Sequence, residues 1–256
     1  NVEAYYKLDN SSEDYVGGND GTDTNIEYRF GRYGQAAVFD GSSSFIDTNY
    51  TLTGDTSVSF SFWLNVNDYT GNDHYIFSDL SSGATARRLG IRITSNGYFA
   101  IDVSSDGTNI DTSTYNSVVS KNIWIHYVIV LNSTNYKLYK DGSNVHEDTL
   151  TQTLAAGVQS LTMGRAGDYN PATNFYYDGL IDQVRIYSTA LTSSQVTQLY
   201  EAHYQTKFTD GSDTAIVFTE GTGTVAFSGV DPAPPQGALR TNTSYSEDGS
   251  ASVIEH

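Results

Sequence analysis

The sequence predicts an all-β fold, a sandwich of two antiparallel sheets. Three observations predict it. Apolar and polar residues alternate with period two in one segment after another. Turn signals, Ser95-Asn96-Gly97 and Asp141-Gly142, fall between such segments. The composition, with 20 Tyr, 11 Phe, 23 Gly and only 17% charged residues, suits strands and turns rather than disorder.

"SVSFSFWLNV" at 57–66 is the cleanest strand. Val58, Phe60, Phe62, Leu64 and Val66 share one face, and Ser57, Ser59, Ser61, Trp63 and Asn65 the other. "LGIRIT" (89–94) and "YFAIDV" (98–103) form a hairpin across the Asn-Gly turn. "IWIHYVIVL" (123–131) and "YKLYKDGSNV" (136–145) continue the series, the second turning at Asp141-Gly142. "SLTMGR" (160–165) and "GLIDQVRIY" (179–187) complete it. In the last strand Leu180, Asp182, Val184 and Ile186 fall in one row, which places a carboxylate on an apolar face. One helix is expected in "ALTSSQVTQLYEAHY", with Thr192 and Gln195 as a capping box and Leu191 and Val196 as its hydrophobic staple. Val196, Leu199, Tyr200 and His203 then recur at helical spacing.

That helix should end a first domain near Gln205. Residues 206–256 differ. "TAIVFTEGTGTVAF" (214–227) reads as one hairpin, and "DPAPPQG" (231–237) as a stiff linker holding three of the chain's four prolines. A lone hairpin is marginal in water, so this tail is expected either to fold back on the sandwich or to pack on a neighbouring subunit, the second being favoured by its low apolar content.

The net charge is −17. Residues 1–205 carry 23 acids and 11 bases, and residues 206–256 carry 7 and 2, so the acidity is general. No basic patch exists for a phosphate backbone, which excludes nucleic acid as a partner. Absence of Cys excludes disulfides, thiolate zinc and a thiol nucleophile. The longest apolar run, "WIHYVIVL", is too short to span a membrane. The chain opens on Asn1 rather than Met, so a start or pro-segment is expected to have been removed or left out.

Four segments carry a resemblance. "GRYGQAAVFDGSSSFIDT" (31–48) reaches Phe-Asp-Gly, and "SVSFSFWLNV" supplies a Phe-Trp strand. "WIHYVIVLNSTNYKLYKDGSNV" (124–145) and "MGRAGDYNPATNFYYDGLIDQVRIYSTALTSSQVTQLY" (163–200) follow in order. Together, over roughly residues 1–205, they resemble a laminin-G-like domain of the concanavalin A-like lectin/glucanase superfamily. The wording is also similar to copies in structural proteins of marine bacteriophages. The resemblance implies a jelly-roll sandwich of about a dozen strands, with one short C-terminal helix. It implies a binding module for glycans or proteins, often with calcium. The expected setting is a virion or an extracellular surface fibre, homo-oligomeric or joined to other virion proteins through residues 206–256. The alternative is a carbohydrate-binding module of a secreted bacterial adhesin or glycan-degrading protein.

The residues weigh against an enzyme. Glycosidases of this superfamily use Glu-x-Asp-x-x-Glu on one strand, which is absent here. Glu147 and Asp148 are adjacent, so their side chains point to opposite faces and cannot flank one glycosidic bond. No two of the five His have zinc spacing. His126 reads as a partly buried, hydrogen-bonded residue, and Arg87-Arg88 as a solvated pair. Calcium takes six to eight oxygens, and "LDNSSEDYVGGNDGTD" (8–23) is rich in them. Asp14 and Asp182 are the candidate calcium ligands, tying the chain ends together. The alternative for Asp182 is hydrogen bonding to backbone N–H groups, Arg32 or Arg165. For a glycan, Trp63 is the candidate platform, or else a cover on the second sheet face. Asp79 is the candidate ligand of a rim calcium beside it.

Overall fold

The computed structural model describes residues 2–54, 57–79, 88–157, 159–166, 175–202, 205–209, 215–219, 241–245 and 251–255. The chain divides into two units, Asn1–His203 and Tyr204–His256.

The strands of the first unit are β1 (Val2–Tyr6), β2 (Thr22–Thr24), β3 (Glu27–Phe30), β4 (Gln35–Asp40), β5 (Phe45–Thr51), β6 (Ser57–Asp68), β7 (His74–Ser78) and β8 (Leu89–Ile93). They continue as β9 (Tyr98–Val103), β10 (Asp111–Val118), β11 (Trp124–Asn132), β12 (Asn135–Lys140), β13 (Ser143–Thr149), β14 (Ser160–Met163) and β15 (Asp178–Tyr187), followed by helix α1 (Ser193–Ala202). An eight-stranded sheet runs β13-β12-β11-β6-β15-β4-β3, with β1 also on β15. A seven-stranded sheet runs β10-β9-β8-β7-β14-β5-β2. Both are antiparallel, and the core lies between them.

The core confirms the alternation on β6. Val58, Phe60, Phe62, Leu64 and Val66 all enter it, with Phe77 and Phe99 from the facing sheet. Phe62 meets Phe77 edge-on at 5.1 Å, and Phe99 stacks on Tyr127 at 4.9 Å, both favourable aromatic geometries. The two hairpin turns form as expected. Gly97 has φ +81°, and Asp141 and Gly142 have φ +48° and +77°, the type I′ signature.

The Ser-rich face of β6 is also covered. Val128, Val130, Tyr139 and Tyr187 on the outer surface of the large sheet pack with Leu191 and Val196 in a second, smaller core. Ser59 pins the chain there: its hydroxyl donates to the Thr189 carbonyl at 2.8 Å and accepts from the Leu191 N–H at 3.0 Å. The capping box closes reciprocally. Thr192 N–H donates to Gln195 Oε1 at 2.9 Å, and Gln195 N–H to Thr192 Oγ1 at 3.3 Å.

One expectation needs correcting. Leu180, Asp182, Val184 and Ile186 do not share a face. The pairing of β15 with β6 shifts between Asp182 and Arg185, and Gln183 takes φ +53°. This β-bulge inserts a residue and reverses the phase. Before it Ile181 faces the core; after it Val184 and Ile186 do. Asp182 therefore lies opposite Trp63 on the outer face.

In the second unit the backbone pairs Gln205–Thr209 (β16) with Ala215–Thr219 (β17), and Thr241–Tyr245 (β18) with Ala251–Glu255 (β19). Of the hairpin expected at 214–227, Ala215–Thr219 is described, and it pairs with the earlier Gln205–Thr209. Residues 220–227 and the linker at 231–237 lie outside the described residues.

Candidate functional site

The three candidate carboxylates sit in separate places, each in its own hydrogen-bond set. Asp14 is saturated. Oδ1 accepts from the N–H of Tyr5 (2.9 Å) and Val16 (3.0 Å). Oδ2 accepts from the N–H of Gly17 and Asn19, both at 3.0 Å, and from Asn19 Nδ2 at 3.2 Å. Burial would raise its pKa, but these N–H donors prevail and hold it below the ordinary value. Asp14 thus clamps the loop at 14–19 to β1.

Asp182 is fully buried. Its Oδ2 accepts from the Tyr33 N–H at 2.9 Å, while Oδ1 has no hydrogen-bond partner. Burial pushes its pKa up to about 7, against the Tyr33 bond, with the Asp9 charge adding to the rise.

Asp79 is not on an open rim. It is fully buried at the base of the β7–β8 connection. Oδ1 accepts from the N–H of Arg88 (2.9 Å) and Leu89 (2.7 Å), and Oδ2 has no partner. Burial raises its pKa to about 6. Among the described residues no group of three or more His, Asp or Glu side chains gathers to hold a metal. The set expected for calcium does not fit that ion: Asp14 has no lone pair left, and Asp79 and Asp182 sit elsewhere with different partners.

Trp63 is only 2% exposed, so it offers no open platform. Its ring lies under the Arg32 guanidinium (4.9 Å), edge-on to Tyr33 (5.7 Å), and beside His126 (5.1 Å) and Tyr200 (6.0 Å). Tyr200 comes from α1, so the helix that covers the outer face also closes over the indole.

Two Ser–His pairs invite a catalytic reading, and geometry assigns both to structure. Ser61 Oγ lies 2.9 Å from His126 Nε2, both buried, but Asp141 accepts the backbone N–H of His126 rather than bonding its ring. Ser113 Oγ lies 3.0 Å from His146 Nε2, yet its hydroxyl donates to Asp148 Oδ2 at 2.7 Å. A nucleophile needs that proton directed at the base, with the carboxylate behind the imidazole. The second trio instead joins β10 of one sheet to β13 of the other.

The sequence reading missed a charged network on the outer face of the seven-stranded sheet. Arg92 binds Asp102 bidentately (Nε–Oδ2 2.9 Å, Nη2–Oδ1 3.0 Å) and Asp73 through Nη1 (2.9 Å). Thr112 also donates to Asp102 at 2.7 Å. The signal was present: the Asn-Gly turn fixes the register Arg92↔Ala100 and Gly90↔Asp102, which makes Arg92 and Asp102 diagonal neighbours. Each charge has its partner there, so the network stiffens the sheet.

An open groove of about 670 Å³ lies on the outer face of the large sheet, between β12–β13 and the start of α1. Val130, Tyr139 and Leu191 form its floor; Asn132, Asn135, Lys137, Glu147 and Thr149 line its sides. Lys137 Nζ pairs with Glu147 Oε1 at 3.0 Å.

With this geometry in view, the relatives are informative. Residues 40–197 match the Laminin_G_3 family, described as concanavalin A-like lectin/glucanases superfamily. A 108-residue stretch is 31% identical to adhesion G-protein coupled receptor V1 of Danio rerio; it covers 42% of this chain and 2% of that receptor. Domain 4 of AbnA, an extracellular arabinanase of Geobacillus stearothermophilus solved with arabinotriose, superposes with TM-score 0.62 at 24% identity, covering 78% of this chain and 98% of that one. The receptor-binding domain of a botulinum neurotoxin C/D mosaic serotype superposes with TM-score 0.59 at 15% identity, covering 78% and 51%. These two structures share the fold, and in each case a domain of a larger protein carries it. The family match spans strands of both sheets and enters α1: the chain belongs to the Laminin_G_3 family of the concanavalin A-like lectin/glucanases superfamily.

Proposed function

We propose that the chain is an extracellular glycan-binding module with no catalytic activity of its own. The match of residues 40–197 to a lectin-like family carries this reading. The site chemistry supports it. Glu147 turns outward to Lys137 while Asp148 turns to Ser113, so the two adjacent acids do not face one bond. Display on a virion or surface fibre, with residues 206–256 mediating assembly, rests on the sequence resemblance alone. The alternative, a module appended to a glycan-degrading protein, is favoured by one observation: the AbnA domain belongs to an arabinanase.

The test is affinity electrophoresis through gels containing polysaccharides, run beside a reducing-end assay. The expected result is retardation by at least one polysaccharide with no new reducing ends. Release of reducing ends by the purified chain would identify a hydrolase instead.

A further inference from the structure

We propose that the groove between β12–β13 and α1 binds a neutral oligosaccharide, one without carboxylate or sulfate groups. This rests on the glycan-binding reading and adds the place and the ligand class.

The volume, about 670 Å³, lies within the range of small-ligand sites. The lining suits a sugar. A saccharide presents hydroxyls that both donate and accept, beside patches of C–H. The Asn132 and Asn135 amides supply both functions, the Glu147 carboxylate accepts, and Lys137 donates. Val130 and Leu191 in the floor offer apolar surface for the C–H patches.

The groove is also fixed before any ligand arrives. Tyr139 Oη is held by Ser193 Oγ at 3.0 Å, Asn132 Oδ1 accepts from Ser57 Oγ at 2.9 Å, and Lys137 is tied to Glu147. Side chains already ordered lose little entropy on binding.

Electrostatics selects the class. One acid, Glu147, and one base, Lys137, face each other in the groove and pair at 3.0 Å, in a chain of net charge −17. At the start of α1 the Thr192 and Gln195 N–H groups are already bonded within the capping box, so they are not held out to an anion. A uronic acid, sialic acid or sulfate would find the groove's one base already paired to Glu147, on a strongly acidic chain.

The experiment titrates the full chain, by heteronuclear NMR, with arabinotriose, cellotriose and galactotriose, and with trigalacturonate and sialyllactose as acidic counterparts. At least one neutral trisaccharide should bind, with the acidic sugars about tenfold weaker or worse. Thr149→Trp, filling the groove from an exposed strand end, should weaken binding at least about tenfold. Glu147→Gln, which keeps the shape at an exposed position, should weaken it by about threefold to tenfold and decides the matter if the Trp variant does not fold. If both variants bind like the wild type, the site lies elsewhere and the proposal fails while the glycan-binding reading stands. Preference for an acidic sugar overturns the neutral class. Silence of the wild type towards every sugar overturns the proposal together with the reading beneath it.

Discussion

Asp14→Ala should destabilise the sandwich by about 3 kcal/mol, read as a lower urea midpoint at unchanged m-value. The carboxylate accepts five N–H bonds, four of them from backbone. Removing it strands those donors at a nearly buried position, and stranded donors cost more than the bonds they lose. The damage should concentrate at β1, whose Tyr5 N–H bonds Asp14 and which pairs only with β15 among the described strands. Hydrogen exchange should therefore accelerate first at Tyr5, Val16 and Asn19. Asp14→Asn should cost less, since one oxygen survives. An Ala variant as stable as the wild type would contradict the clamp.

Asp182 should make the protein lose stability as pH rises. Its folded pKa, about 7, lies above the reference value of 3.8. Such a group contributes stability in full below about pH 4, and that contribution falls away as pH climbs through 7. At 1.36 kcal/mol per pKa unit the loss approaches about 4 kcal/mol between those limits. Asp79, raised to about 6 by burial, acts with the same sign over a narrower window. The cause is physical: ionised Asp182 holds a charge at a fully buried position, where desolvation outweighs the backbone N–H groups beside it. Asp182→Asn keeps an acceptor for the Tyr33 N–H and carries no charge. Melting temperatures from pH 4 to 8 should fall more steeply in the wild type, and the variant should gain relative stability at pH 8. Equal destabilisation by the substitution at both ends would mean that the ionised carboxylate is needed.

The regular parts of this molecule were readable because local chemistry decides them. The β6 alternation, the turns at Gly97 and Asp141-Gly142, and the box of Thr192 and Gln195 each depend on a few neighbouring residues. What escaped depends on irregularity or on remote parts of the chain. The bulge at Gln183 moves Asp182 to the opposite face from the one its row implies. A second bulge hides the groove. An unbroken hairpin from Asp141-Gly142 would set Lys137 opposite His146, but a register shift between Leu138 and Tyr139 sets it opposite Glu147. Trp63 looked available because its strand neighbours are serines. The cover over it comes from Arg32, Tyr33 and Tyr200, all distant in sequence. Asp79 likewise reads as a loop residue until its bonds to Arg88 and Leu89 close the strand base.

The central claim is that this sandwich binds a glycan. An array carrying both neutral and acidic glycans, probed with the full chain at near-physiological salt, tests it most directly. Retention on neutral structures is the predicted result. No retention on any glycan, by protein whose NMR spectrum shows dispersed β-sheet amides, would contradict it.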